Sequence, residues 1–161
     1  MEKIDALNQV AEFHRTFKHP ILDEPTIPDA KRCALRVALI AEELKELEEA
    51  IADKDMVEIA DALCDIQYVL SGAVLEFGLG EKFKTLFDEV QRSNMSKTCK
   101  SLEEAEATRS HYKTTKGVES YIKQEGDHFL VFRTEDNKTL KSINYSPADL
   151  KTILERDEVA S

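Results

Sequence analysis

Residues 57–77, VEIADALCDIQYVLSGAVLEF, are the segment from which the fold class can be inferred. The stretch contains no Lys or Arg, and nearly every position other than its acids is apolar or small. This composition and length predict a helix that is largely buried. Its carboxylates fall on one arc of the helix at about 100° per residue, and an ionised carboxylate buried without a partner costs on the order of several kcal/mol. The sequence therefore predicts a positively charged partner for Glu58, Asp61, Asp65 and Glu76.

A second acidic cluster lies on the preceding helix, predicted over about residues 30–52. Apolar residues at steps of three and four form its core stripe, and Glu43 and Glu46 flank that stripe. Such a Glu-rich helix is, by itself, typical of a solvated surface. Combined with Glu58 and Asp61 on the next helix, it predicts a site for one or two hard divalent cations, which prefer oxygen ligands.

Composition limits the possible partners. The 161 residues suffice for a compact core, and the formal net charge of -10 argues against binding the nucleic-acid backbone or an anionic membrane surface. A polyanionic substrate would have to arrive with metal. The three cysteines are widely spaced and form no CxxC motif, so we expect reduced thiols and a cytoplasmic protein. Acids interrupt the only candidate for a membrane-spanning segment.

The fold class expected from these patterns is mainly α. Residues 1–113 are predicted to form a helical bundle, which includes helices at about 4–17 and 81–92 and a capping box at 101–104. Residues 114–161 are predicted to form a small appendage packed on the bundle or on a partner subunit. Its expected elements are a three-stranded β-meander over 117–124, 127–133 and 139–143, and a terminal helix that begins at Ser146-Pro147.

The acidic motifs resemble the signature of a known superfamily. The sequences EELKE at 42–46 and EIAD at 58–61 are similar to the EExxE and ExxD motifs of the all-α nucleoside triphosphate pyrophosphohydrolases. This MazG-like superfamily includes dimeric dUTPases and phosphoribosyl-ATP pyrophosphohydrolase. The stretch EVQRSNMSK at 89–97 resembles a subgroup described as phosphoribosyl-ATP pyrophosphohydrolase-like.

The resemblance implies roles for individual residues. By motif position, Glu43, Glu46, Glu58 and Asp61 match the metal ligands, with Mg²⁺ as the expected ion and Mn²⁺ as a substitute. Catalytic roles are assigned to Glu42, which matches a position that helps orient the water, and to Asp65. For Asp65 and Glu76, support of the metal site and a place at a subunit interface both stay open. Substrate contacts are expected from Asn94 and Lys97, for phosphate, and from His14, near the nucleobase, with Arg32, Arg36, Arg92 and Lys116 as further candidates for phosphate.

The implied activity is cleavage of a nucleoside triphosphate between the α- and β-phosphates, which gives a nucleoside monophosphate and pyrophosphate. House-cleaning of the nucleotide pool is the first expectation, and phosphoribosyl-ATP hydrolysis is the second. A non-catalytic helical interaction module, whose acids pair with a partner's bases, is the alternative from another class. A di-iron carboxylate protein is disfavoured, because the sequence contains no Glu-x-x-His motif. The extent of apolar helical surface predicts a homodimer or a homotetramer.

Overall fold

The computed structural model describes residues 1–155, and this part of the chain is mainly helical with one small antiparallel sheet. The predicted fold class is thereby confirmed. The chain divides into two compact units, Met1–Phe83 and Lys84–Ser161. The elements in chain order are α1 (Ala6–Phe17), α2 (Ala30–Asp53), α3 (Met56–Glu76), α4 (Phe83–Met95), α5 (Leu102–Lys116), β1 (Ser120–Glu125), β2 (His128–Arg133), β3 (Thr139–Leu140) and α6 (Leu150–Glu155).

Local capping sets the ends of the helices in the first unit. The Asp29 carboxylate accepts hydrogen bonds from the second and third backbone N–H groups of α2 at 2.9 and 3.0 Å. Asp55 does the same for α3, with bonds from Val57 N and Glu58 N at 2.9 and 3.2 Å. Each cap satisfies donors that the helix itself leaves unpaired. The two acid-bearing helices therefore begin where the sequence predicts.

The segment after α1 runs along the end of α3. Leu22 N donates to Leu75 O at 3.1 Å, and Thr26 N donates to Phe77 O at 3.0 Å. Gly78 follows with a φ of +67°, and a Cβ at this position would lie 1.8 Å from the carbonyl oxygen of Glu24. Only glycine permits both this left-handed conformation and this close approach of two backbones.

We expect Gly78→Ala to destabilise the first unit by roughly twice as much as Gly126→Ala destabilises the second. Both glycines have positive φ, but a Cβ at Gly126 would meet nothing within 4 Å. Gly126→Ala, the control, costs only the strain of placing alanine in the left-handed region, about 1–2 kcal/mol, whereas Gly78→Ala must also displace the Glu24 carbonyl. Urea unfolding followed by circular dichroism measures both losses. Equal losses would contradict the close approach.

Burial along α3 is uneven, in contrast to the predicted largely buried helix. Its second half is buried from Ser71 to Glu76, except for the half-buried Ala73, because α1 packs against α3 there. The first half exposes apolar side chains, including Val57 at 75% and Leu63 at 52%. Such exposure of large apolar groups on one helix is unusual for an isolated chain.

The second unit is built around α5 and the sheet. The strand order is β1-β2-β3, with Ile122 opposite Val131 and Val131 opposite Leu140. Alternate residues of the strands face α5, so the apolar ones form a core with it. The buried members of this core are Cys99, Ala105, Val131 and Leu140.

The division between the units lies at 83/84, whereas the sequence placed a boundary near residue 113. The physical reason is that α5 buries Ala105 and Thr108 together with the strands. The last helix also begins later than predicted, at Leu150, because Asp149 caps it by accepting from Thr152 N at 3.1 Å. The end of the predicted appendage, residues 156–161, lies outside the described part of the chain. Within residues 1–155 no helix has the length and apolarity needed to span a membrane.

Candidate metal and substrate site

The predicted metal ligands lie on two neighbouring helices of the first unit. Helix α2 carries Glu43 and Glu46, and α3, which packs against it, carries Glu58 and Asp61. In each pair the members are three residues apart, and side chains at this spacing project from the same side of a helix. The remaining predicted catalytic residues, Glu42 and Asp65, lie on the same two helices, and we call these six residues the acidic cluster.

Glu43 is the half-buried member of the acidic cluster on α2. One of its oxygens, Oε2, is buried and accepts no hydrogen bond within residues 1–155. Burial raises the pKa of Glu43, and the negative charges of Asp65, Glu46, Glu42 and Asp61 raise it further. The structure therefore places these four carboxylates close enough to act on Glu43.

The acidic cluster fits a hard cation in its chemistry. A buried carboxylate oxygen without a donor is costly, and bound cations are among the few groups that satisfy such an atom. All six side chains offer the oxygen ligands that Mg²⁺ and Mn²⁺ prefer. Among the described residues no three Asp, Glu, His or Cys side chains are arranged as a metal site. The fit therefore rests on the buried Glu43 oxygen and on the ligand type.

Glu76, the last acid of the α3 stripe, has the cationic partners that the sequence predicts for that stripe. Arg32 and Arg36 on α2, which the sequence analysis names as candidates for phosphate contacts, bind Glu76. Arg32 donates through Nε and through Nη2, the latter at 3.0 Å, and Arg36 donates through Nε. Glu76 is 1% exposed. Burial opposes its ionisation, but the hydrogen bonds from both arginines prevail and hold the pKa of Glu76 below its usual value. These three residues join α2 to α3 as a buried ion cluster.

His14 lies beside this ion cluster. It is buried on α1, and its Nδ1 lies 2.8 Å from the carbonyl oxygen of Pro20, a bond that requires the proton on Nδ1. A Cβ added to Gly72 would lie 2.9 Å from Arg36 Nη1 and 3.0 Å from His14 Nε2, so α3 approaches both side chains closely through this glycine. The surroundings of His14 are thus structural groups of its own unit. Its predicted contact with the substrate stays a prediction.

A pH dependence of stability follows from the position of His14. Burial lowers the pKa of His14 below 6.5; the Pro20 carbonyl opposes the shift, while Arg36 and His19 add to it. The unfolded chain then binds this proton more readily, so we expect stability to fall as the pH drops from about 6.5 toward the folded pKa. The slope from one proton is at most about 1.4 kcal/mol per pH unit.

Urea unfolding at several pH values between 5 and 7 measures this slope. The slope should be smaller in His14→Asn than in the wild type. The matched control is His111→Asn, which replaces an exposed histidine. An unchanged slope in His14→Asn would contradict the assignment.

The predicted phosphate contacts lie in the second unit. Lys97 Nζ donates to Asn94 Oδ1 at 2.8 Å, so the structure brings these two residues together at the end of α4. Arg92, a further candidate from the sequence, is held by Glu89 through two hydrogen bonds of 2.7 Å. Sequence reasoning missed the Arg32–Glu76–Arg36 ion cluster. The sequence does contain one signal for this cluster: Arg32 and Arg36 are four residues apart, a spacing that places them on one face of α2.

Comparison with known proteins yields two findings. The family model described as phosphoribosyl-ATP pyrophosphohydrolase matches residues 10–94, which include all six members of the acidic cluster. The chain is also 25% identical to an uncharacterised protein of Acanthamoeba polyphaga mimivirus, over 96% of this chain and 97% of that protein. The family match supports a nucleotide pyrophosphohydrolase-like activity.

Proposed function

Because the chain belongs to the phosphoribosyl-ATP pyrophosphohydrolase family, we propose that it is a Mg²⁺-dependent nucleoside triphosphate pyrophosphohydrolase. The reaction cleaves between the α- and β-phosphates and gives a nucleoside monophosphate and pyrophosphate. The observation that carries this proposal is the buried Oε2 of Glu43, which accepts no hydrogen bond from the described residues and lies among like-charged carboxylates. Such an arrangement costs free energy in the protein alone and is favourable once a cation and its phosphate ligands are present.

The roles of the acidic cluster follow the motif positions. Glu43, Glu46, Glu58 and Asp61 would hold the ion. When bound, Mg²⁺ supplies charge neutralisation at the phosphate oxygens and a lower pKa for a bound water. Glu42 is exposed beside Glu43, so it remains accessible to orient a water molecule. Asp65 acts electrostatically on Glu43, and we propose that it sustains the negative potential that attracts the cation.

The substrate we propose is a modified or deoxy nucleoside triphosphate of the nucleotide pool. Phosphoribosyl-ATP is the second candidate, and the description of the matched family favours it. Both substrates contain an α–β anhydride that the same carboxylates would serve. In either case the net charge of -10 makes a metal-complexed nucleotide the form that the protein admits.

A nucleotide panel assayed for pyrophosphate release tests the function. The panel contains the common and deoxy nucleoside triphosphates, several base-modified ones and phosphoribosyl-ATP, each with Mg²⁺ or with EDTA. We expect pyrophosphate and a monophosphate, and no product in EDTA. Orthophosphate as the sole product would overturn the cleavage site. Inactivity throughout the panel, combined with no rise in melting temperature at millimolar Mg²⁺ or Mn²⁺, would instead favour a non-catalytic helical interaction module.

We also propose that the chain assembles as a homodimer or a homotetramer. Large apolar side chains are exposed on both acid-bearing helices, among them Val37 at 69% and Ile51 at 56% on α2. Self-association would remove this surface from water, which is favourable by roughly 25 cal/mol per Å². Light scattering on the full chain checks the proposal, and a stable monomer at micromolar concentration would overturn it.

A further inference from the structure

Helices α2 and α3 form a pair that is fixed at both of its ends. At one end a turn of two residues, Lys54 and Asp55, joins the helices. At the other end Arg36 of α2 donates to Glu76 of α3. Arg36 precedes Glu43 by seven positions, which is about 10 Å along a helix. The acidic cluster therefore lies between the turn and the ion cluster.

The acidic cluster pushes the two helices apart. From the first residue of α2 to the last residue of α3, the chain contains eleven acidic and five basic side chains. Two of the five bases, Arg32 and Arg36, are engaged in the ion cluster. Burial and, after it, the charge of Asp65 on the opposite helix raise the pKa of Glu43. Like charges thus repel one another across the middle of the pair.

The ion cluster opposes this repulsion at a tightly packed contact. Glu76 is 1% exposed and Arg36 is 7% exposed, so solvent screens their attraction much less than it would at the surface. A Cβ added to Gly72 would lie 2.9 Å from Arg36 Nη1, so the backbone of α3 passes directly beside the guanidinium group. The Arg36 side chain therefore both spaces the helices and holds them together at this end.

We propose that Arg36 is a positioning residue of the metal site, whose ion pair with Glu76 holds α2 and α3 at the separation at which the ligands of both helices reach one divalent cation. This inference rests on the proposed function and deepens it. Without Arg36 the carboxylates drive the helices to a wider separation, and an ion can bind only after they close. The apparent affinity for the ion then falls in proportion to the fraction of molecules that are closed.

A titration of the full chain with Mn²⁺, in the absence of nucleotide, measures this effect. The electron paramagnetic resonance signal of free Mn²⁺ gives the affinity. We expect Arg36→Met to bind Mn²⁺ about tenfold more weakly than the wild type, although no ligand has been replaced. Arg32→Met is the milder variant, because the Arg32 side chain is 29% exposed, and it should bind about threefold more weakly. This second variant decides the question if Arg36→Met does not fold.

Val10→Ala is the control for a general loss of stability. Val10 is 1% exposed in the apolar core of the same unit, where it packs with Ala11 and Leu75. Its truncation removes packing but no charge, so the protein should melt at a lower temperature and still bind Mn²⁺ within about twofold of the wild type. Melting temperatures confirm that every variant is folded under the conditions of the titration.

Catalysis gives a second readout, which a merely structural role of Arg36 would not move. With an active nucleotide, Arg36→Met should need about tenfold more Mg²⁺ for its half-maximal rate, whereas kcat at saturating Mg²⁺ should change by less than about threefold.

The outcomes are distinguishable from a failure of the proposed function. Pyrophosphate release by the wild type decides the function, whereas the ratio of the Mn²⁺ affinities decides the role of Arg36. Equal affinities in the wild type and the arginine variants, an equal loss in Val10→Ala, or no saturable Mn²⁺ binding by the wild type would overturn the inference whatever the activity.

Discussion

Glu43→Gln is expected to lower kcat for pyrophosphate release about 10³-fold and to raise the melting temperature of the metal-free protein. The fall in kcat follows because the amide cannot supply the charge that holds the ion, and such charge stabilisation contributes several kcal/mol to catalysis. The rise in melting temperature follows because burial and the neighbouring carboxylates disfavour the ionised Glu43. A neutral amide at this position removes that cost.

The matched control is Glu48→Gln, which removes one carboxylate from an exposed position of the same helix. It should leave kcat and the metal-free melting temperature nearly unchanged. Thermal unfolding with and without millimolar Mg²⁺ completes the test, since the rise in melting temperature caused by Mg²⁺ should disappear in Glu43→Gln alone. A fully active Glu43→Gln protein would remove the central residue of the proposed site.

Glu76→Gln is expected to destabilise the first unit by about 3 kcal/mol. Removing one partner of a buried ion pair typically costs about 3–5 kcal/mol, because the other charge is left buried. We expect the loss for Glu76→Gln at the low end of this range, because the Arg32 side chain is 29% exposed and solvent screens its charge. Urea unfolding followed by circular dichroism gives the total loss. Hydrogen exchange of the amides of α3 assigns that loss to Met1–Phe83.

A double-mutant cycle separates the ion cluster from a general packing defect. In Arg36→Met the carboxylate keeps Arg32 as a partner, so this substitution alone should cost less than Glu76→Gln. The double variant Arg36→Met/Glu76→Gln should lose less stability than the sum of the two single losses, because either substitution alone already removes the interaction between these residues. Strict additivity would show that Arg36 and Glu76 are not energetically coupled.

Local signals in the sequence predict a large part of this fold. Asp29, Asp55 and Ser101 each cap a helix that the sequence pattern predicts, and such caps are local because a capping bond involves residues only two or three positions apart. The acidic motifs on α2 and α3 are equally local. Their placement on two packed helices follows from helical periodicity and from the short connection at Lys54 and Asp55.

The features that sequence reasoning missed depend on contacts between distant residues. Arg36 and Glu76 are forty positions apart, and Ser93 and Tyr145 are fifty-two. No periodicity within one element encodes such pairs, so the sequence alone favours phosphate contacts for the arginines and predicts no role for Tyr145. The exposure of Val57 has a different cause, since an apolar pattern predicts burial without indicating whether the chain itself or another molecule covers the surface.

The hydrogen bonds between the end of α4 and the 142–149 loop bear on attempts to shorten this protein. Arg92 donates to the carbonyl of Pro147 at 3.1 Å, and Glu89 accepts from Asp149 N at 2.9 Å. Arg92 and Asp149 N together hold the pKa of Glu89 at about 2. A recombinant fragment that ends at residue 94 would leave Glu89 and Arg92 without these partners, so shortening the chain there would remove the contacts that hold the end of α4 within the second unit.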